Sequence, residues 1–336
     1  MAKFKFGFVL CALALLASLA LGACGMSNEA AETAGTAGTA ASEASGDAPG
    51  GESASPSAEA TRTVTHEMGE TVIPANPQRI VADQYVGHLL ALGIKPVGAR
   101  GDLIDTPFLK DLAADIADTG SPMSPEKVLE LKPDLIIVQD GENYEQLSKI
   151  APTIVYEYGK LNSIEQLELF GEILGKQQEA QQWKENFDRK AASYKEQLAS
   201  VIAEGETVSI VEVWAQGTFV YGNNWGRGGF SLYNALGLSA PEIVENEILN
   251  KEQYRQISLE VLPDYAGDYI FLTVYEADGG DKAAQEIKES PIWQSLPAFK
   301  NNRIIELNID EMAPGDPISL EKQMDIQVES LLAAQS

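Results

Sequence analysis

Residues 177–203, QQEAQQWKENFDRKAASYKEQLASVIA, set the strongest limit on what this chain can fold into. Trp183, Phe187, Tyr194, Leu198 and Val201/Ile202 recur at helical spacing, with Ala180 and Ala191 filling in and charges between them. Gly175 reads as the stop of a shorter helix over 164–174, and Gly205 as the break after the long one. At about 1.5 Å per residue, some 27 residues make a rod of about 40 Å, long enough to cross a small domain. The constraint comes from what flanks it, because the two sides are alike.

Upstream stand HLLALGIKPVG (88–98), SPEKVLELKPDLIIV (124–138) and LSKIAPTIVY (147–156). Downstream stand SLYNALGLSAPEIV (231–244), SLEVLPDYAGDYIFL (258–272) and WQSLPAFKNNRIIEL (293–307). Each half has a helix ending in Leu-Gly-aliphatic, a Ser-x-Glu helix start leading through Asp to an apolar strand, and a further helix-to-strand step. Glu126 to Asp134 and Glu260 to Asp268 keep one spacing. Doubled βα units on either side of one helix predict an α/β fold of two lobes joined by a single long α-helix. The limits are 63–165 for the N-terminal lobe, 166–204 for the connecting segment and 205–336 for the C-terminal lobe, with a ligand cleft between the lobes. The alternative is one mixed α/β domain with chance similarity.

The first 62 residues read differently. Lys3 and Lys5 precede an apolar run that ends Leu21-Gly22-Ala23-Cys24, so 1–23 is expected to be a leader. The small residues before Cys24 resemble the lipobox of bacterial lipoproteins, which implies acylation of Cys24 and anchoring on the outer face of the cytoplasmic membrane. Residues 24–62 are Ala, Gly, Ser, Thr, Glu and Pro with hardly a large apolar side chain, the composition of a disordered tether. The only cysteines are Cys11 and Cys24, and Cys11 leaves with the leader. The mature chain therefore has no disulfide, no cysteine metal site and no thiol nucleophile.

Formal charge is −26, spread along the chain, and no Lys/Arg cluster follows the leader; this argues against nucleic acid as a partner. His66 and His88 are the only histidines and lie in unlike contexts, so no metal site is expected; His88, beside Leu89 and Leu90, reads as a partly buried side chain. There is no Gly-x-Ser-x-Gly elbow, and Gly222-Asn-Asn-Trp-Gly-Arg-Gly-Gly229 lacks the Gly-Lys-Ser/Thr of a phosphate loop. Nothing argues for catalysis. That glycine-rich stretch follows two extended runs, 208–213 and 218–221, and precedes a helix over 230–236. It presents an aromatic and an arginine between residues that let the backbone bend. Either it binds a ligand, or Trp225 fills a core gap and Arg227 pairs with one of many carboxylates.

The chain resembles the siderophore-binding proteins of bacterial ABC importers, the class with two lobes and one connecting helix. Pro77-Gln78-Arg79-Ile80-Val81 and Leu92-Gly93-Ile94 carry part of that resemblance, which covers nearly everything after residue 63. Within the class, Asn224-Trp225-Gly226-Arg227-Gly228-Gly229 and Ala266-Gly267-Asp268-Tyr269-Ile270 are similar to the ferric-hydroxamate-binding lipoproteins of Gram-positive bacteria. The resemblance implies a monomeric, non-enzymatic carrier of a pre-formed Fe(III)–siderophore complex. It would have no cofactor or protein metal ligand, and would deliver to an ABC permease, homodimeric or heterodimeric, with its ATPase. It implies that Trp225 and Arg227 touch the ligand, and places Tyr221, Trp214 and Tyr275 near the cleft from the C-terminal lobe and Tyr85 and Tyr144 from the N-terminal lobe. Glu126 and Glu260 would pair with permease arginines. The family's C-terminal ligand-contacting aromatic has no counterpart in Asn308-Ile-Asp-Glu-Met312. A ferric tris-catecholate is trianionic and calls for several cations, whereas a ferric tris-hydroxamate is neutral; one arginine among aromatics suits the second. A catecholate, haem or a corrinoid remain alternatives within the class, and a tethered enzyme or adhesin outside it.

Overall fold

The computed structural model describes residues 60–334. The expected leader, Cys24 and the expected tether as far as residue 59 lie outside the described residues. Structure begins at a hairpin of β1 (Thr61–His66) and β2 (Gly69–Pro74), two residues before the expected boundary at residue 63. His66 fastens this hairpin to the lobe: its Nδ1 accepts from the Val155 amide at 3.2 Å and its Nε2 lies 2.8 Å from Thr71 Oγ1.

Five short parallel strands follow: β3 (Ile80–Ala82), β4 (Gly98–Ala99), β5 (Ala117–Asp118), β6 (Leu135–Val138) and β7 (Thr153–Val155), in the order β5-β4-β3-β6-β7. Helices cover both faces, so alternate residues bury on opposite sides. Ile80, Ala82, Leu135 and Ile137 pack with Leu89, Leu167 and Phe170, while Val81, Ile136 and Val138 pack with Val128 and Leu147.

The second sheet comprises β8 (Val208–Trp214), β9 (Gly217–Tyr221), β10 (Tyr254–Ile257), β11 (Tyr269–Val274) and β12 (Ile304–Glu306), in the order β10-β9-β8-β11-β12. The first strand of each five-stranded sheet, β3 or β8, is central in both, as doubling predicts. The halves differ at one edge, where β9 and β10 run antiparallel. The link between β8 and β9 is only Ala215-Gln216, enough for a hairpin but far too short for the crossover that a parallel pair needs. In the N-terminal lobe the helix Val86–Ala91 makes that crossover.

The repeated aspartates now have a physical role. Asp134 accepts from the amides of Gln78 (2.7 Å) and Arg79 (2.9 Å), just before β3. Asp268 accepts from the amide (2.8 Å) and hydroxyl (3.1 Å) of Thr207, just before β8. In each lobe one carboxylate thus anchors the entrance of the central strand from its neighbour.

The connecting helix runs Gln177–Leu198, 22 residues, ending before the expected 203 because 199–201 form a turn. It follows helix Ser163–Leu174, which has an Asn162/Glu165 capping box and stops at Gly175 in the left-handed region (φ 70°), as the sequence suggested. Trp183 packs against the cores of both lobes and stacks on Phe187 at 5.2 Å. The helix is not the sole link. The C-terminal helix Pro317–Ala333 is tied to it by Lys190, which pairs with Glu321 (2.9 Å) and Asp325 (2.6 Å). At its head, Asp316 lies so close to Gly87 of the N-terminal lobe that any Cβ there would overlap its carboxylate. Two helices therefore resist relative movement of the lobes.

His88 is more deeply buried than the sequence suggested, at 2% exposure, packed edge-on to Tyr85 and with Nε2 3.2 Å from Ser163 Oγ. Burial lowers its pKa to about 3, against a smaller raising effect of its hydrogen bond at Ser163. The folded state holds the imidazole neutral, and the unfolded chain takes up the proton below about pH 6.5. Its contribution is therefore complete above pH 6.5 and is lost as pH falls toward 3. Between pH 7 and 4.5 this predicts a loss of about 2–3 kcal/mol. Urea melts of the parent and His88→Gln at both pH values check it: the parent must lose more stability than the variant.

Candidate binding site at the lobe junction

The site is built on the turn that follows β9. Trp225 (φ 75°), Gly226 (62°), Arg227 (57°) and Gly228 (73°) are four successive left-handed residues. For a side chain other than glycine this conformation costs about 1–2 kcal/mol per residue. Contacts from distant chain over-determine it. The Arg227 amide donates to Met312 O at 2.5 Å, Gly226 packs against the Ala313 carbonyl, and Gln323 Nε2 sits 2.7–3.1 Å from the carbonyls of Glu311, Met312 and Pro314. Asn224 Nδ2 donates to Gly159 O (2.9 Å), and Asn223 exchanges hydrogen bonds with Asn250. The expected helix after the turn is a π-helix, Phe230–Ala235, a form that recurs at functional sites.

This backbone aims Trp225 and Arg227 in two directions. Trp225 crosses to the N-terminal lobe, lying over Gly159 and edge-on to Tyr158 with ring centres 4.8 Å apart. Arg227 turns back onto the C-terminal sheet. Its Nε donates to Glu212 Oε2 at 2.6 Å and its Nη2 to Glu212 Oε1 at 3.0 Å, and its guanidinium carbon lies 4.9 Å over the Tyr221 ring. Nη1 makes one longer contact, 3.4 Å to Ala313 O. The reading in which Arg227 pairs with a carboxylate is thus correct as far as it goes. Neither side chain is fully buried, and that of Arg227 stays 15% exposed.

Glu212 is the residue that sequence reasoning missed. Strand alternation puts Val208, Ile210, Glu212 and Trp214 on one face of β8, toward the connecting helix. Thr273 lies directly opposite Glu212 on β11, and its hydroxyl donates to Oε2 at 2.9 Å. Trp214 Nε1 (2.5 Å) and Tyr221 OH (3.2 Å) donate to Oε1. With the two donors of Arg227, five donors converge on a side chain with 0% exposure. The available signal was a lone acidic residue inside the apolar run Val-Ser-Ile-Val-Glu-Val-Trp.

Trp214 and Tyr221 therefore join Arg227 through Glu212, and Tyr275 joins through Trp214 at 4.8 Å. Tyr221 is 2% exposed, and burial pushes its hydroxyl pKa far up, against the lowering field of Arg227; its ring lies 5.3 Å from that of the exposed Tyr254. The two tyrosines expected from the N-terminal lobe are placed otherwise. Tyr85 is a core residue at 1% exposure, its hydroxyl donating to Tyr156 O and its ring against Phe170 at 4.9 Å; it borders one small cavity together with Trp225. Tyr144 packs on His66 of the hairpin, 5.8 Å away, apart from this cluster. The N-terminal lobe's tyrosine at the site is Tyr158, whose pKa is raised to about 12 by burial and then by the Asp316 carboxylate.

Beyond these aromatics, the carboxyl ends of the strands in each sheet border open space. A cavity of about 180 Å³ is lined by Asp83, Arg100, Gln139 and Asp140, and one of about 450 Å³ by Tyr275, Leu307, Asn308 and Asp310. Arg100 is bidentate to Asp102 (2.6 and 3.1 Å) and donates to Gln84. No three His, Cys, Asp or Glu side chains among the described residues come together as metal ligands.

Comparison with known proteins gives a consistent result. The profile of the family described as "Periplasmic binding protein" matches residues 80–311. The iron(3+)-hydroxamate-binding protein YxeB of Bacillus subtilis is 42% identical over 292 residues, 86% of this chain and 91% of its own. Among solved structures, the FhuD protein of S. pseudintermedius is similar with a TM-score of 0.73 and 32% identity, covering 82% of this chain and 99% of that one. FhuD2 of Staphylococcus aureus with bound ferrioxamine B gives a TM-score of 0.69 and 28% identity, over 77% of this chain and all of that one.

Proposed function

The chain belongs to the periplasmic binding protein family, whose members bind solutes rather than transform them, and on that premise we propose that it captures a ferric hydroxamate siderophore and delivers it to an ABC permease. The observation that carries this reading is the Trp225–Arg227 turn. It sets one aromatic face and one half-buried guanidinium edge at the junction of the lobes, beside Tyr158, Trp214 and Tyr275. A ferric tris-hydroxamate needs little more: apolar linkers to stack on the rings, and iron-bound oxygens to accept from a planar donor. The iron arrives chelated and asks for no protein ligand.

The Cys24 lipid anchor and its placement on the outer face of the membrane belong to the same proposal. So does the docking role of Glu126 and Glu260. Both glutamates are fully exposed, one at the start of helix Pro125–Glu130 and the other in the turn Leu259–Val261. Each carries a hydrogen bond from the serine two residues before it, Ser124 or Ser258, which holds its pKa below the usual value. Matching sites on the two lobes suit a permease with two matching halves. Charge reversal at both, Glu126→Lys with Glu260→Lys, is expected to abolish uptake by cells. The purified protein should keep its ligand affinity within about twofold, since neither glutamate lines a cavity bordered by the turn. A large loss of affinity would refute the separation of roles.

Titration of tryptophan fluorescence in the segment from Ala60 onward, with ferrioxamine, ferrichrome and a ferric catecholate, tests the ligand class. Saturable quenching by the hydroxamates is the expected result. Quenching by the catecholate alone would keep the transport class and sink the hydroxamate assignment.

A further inference from the structure

The Glu212–Arg227 pair has a consequence for which ligands the cleft accepts. Arg227 is the cation of the turn, and its charge is cancelled inside the protein by a carboxylate with no solvent exposure. Arg100, the other arginine whose field reaches Tyr158, is paired with Asp102, a carboxylate that stays half-exposed. At the strand ends acidic side chains outnumber basic ones, with Asp83, Asp140 and Glu142 against Arg100 in one cavity and Glu276, Glu306 and Asp310 in the other, and beside Trp225 the cations Lys160 and Lys251 are matched by Glu165 and Glu252. The donors are therefore present without net positive charge.

We infer that Glu212 is the specificity-determining residue of the site: by neutralising Arg227 while leaving one guanidinium edge to donate, it selects an uncharged ferric chelate and rejects a polyanionic one. This rests on the ferric hydroxamate reading and adds the residue that enforces it. The physical basis is the cost of desolvation. A trianionic chelate entering a half-buried site sheds water and needs fixed positive charge in return. Arg227 alone would offer one unit; Arg227 with Glu212 offers none. A neutral chelate loses nothing by this, because hydrogen bonding to its oxygens needs the fork of the guanidinium rather than its net charge. Glu212 acts through Arg227, Trp214 and Tyr221 and does not itself meet the ligand, since its oxygens are occupied by five donors.

The test is calorimetric titration of the parent, Glu212→Gln and Glu212→Asp with a neutral ferric trihydroxamate and a trianionic ferric tris-catecholate. The readout is the ratio of the two affinities, with thermal melts showing that each variant is folded. Glu212→Gln keeps the shape and gives the site a net positive charge, so the ratio must shift toward the catecholate by about tenfold or more. Glu212→Asp keeps the charge and moves Arg227, so both affinities fall and the ratio stays at the parent's value. A merely structural role would weaken both ligands alike in both variants. A folded Gln variant with an unchanged ratio overturns the inference. So does an Asp variant whose ratio shifts toward the catecholate, and that result decides the matter even if the Gln variant does not fold. A parent that prefers the hydroxamate, with either of those results, refutes Glu212 alone; a parent that binds no hydroxamate refutes the ligand assignment as well.

Discussion

Arg227→Ala is expected to remove most of the affinity for a ferric hydroxamate and to destabilise the C-terminal lobe at the same time. The affinity loss follows from the proposed function, in which the Arg227 guanidinium would donate to a hydroxamate oxygen. Truncating such a charged anchor in a half-buried site costs about 2–4 kcal/mol, or roughly thirtyfold to a thousandfold in affinity. The stability loss has another source. Glu212 would keep Trp214, Tyr221 and Thr273 as hydrogen-bond donors but lose its counter-charge at 0% exposure. Breaking one side of a buried pair costs about 3–5 kcal/mol. Calorimetric titration and urea melts at neutral pH measure the two effects. Arg227→Lys separates them, since an ammonium keeps the charge near Glu212 without the planar fork. It should recover much of the stability and little of the binding. A variant lacking Arg227 that binds as the parent does would remove this residue from the site.

The second large effect is expected at Gly226. Its φ of 62° costs alanine about 1–2 kcal/mol, and an added Cβ would also overlap the Ala313 carbonyl oxygen, which is backbone and cannot swing aside. The turn must then lift away from the 311–315 segment. This breaks the hydrogen bond from the Arg227 amide to Met312 O and rotates both Trp225 and Arg227 out of place. Ligand affinity for Gly226→Ala should fall by about a hundredfold, with a stability loss of about 1–3 kcal/mol. Gly205→Ala is the control: its φ is 86°, yet nothing lies within 4 Å of the new methyl. That variant should lose about 1 kcal/mol from backbone strain and no affinity. Equal effects of the two on binding would mean that glycine matters here for its backbone freedom alone.

The turn also shows how far local sequence carries. Glycines around Trp225 and Arg227 announced a tight bend, and the family resemblance assigned both to a ligand. That the tryptophan and the arginine are themselves left-handed was not legible, because what enforces it is a carbonyl and a glutamine some 85–95 residues later. Aromatic residues were harder still. Tyr85, Tyr144 and Tyr158 look alike as letters, all near strand ends, and differ only in depth. Tyr85 is drawn into the core by Phe170, Tyr144 onto the hairpin by His66, and Tyr158 is left to meet Trp225.

What the sequence determined by itself is whatever repeats over short range. The 3.6-residue period of the connecting helix, the doubled Ser-x-Glu to Asp units and the two-lobe α/β plan all come from interactions between near neighbours, or from motifs copied whole. Even the aspartates that anchor β3 and β8 were visible as a repeat before their hydrogen bonds were known. The tertiary structure alone decided what depends on register and closure. Sheet pairing brings Thr273 opposite Glu212, a hairpin brings Tyr221 beside it, and the 224–228 turn lays Arg227 on top. No period in the chain records such a meeting, because it is fixed by which strands pair and how the lobes pack. The bend at 224–228 was therefore written locally, while the charge balance around Arg227 was set by the fold.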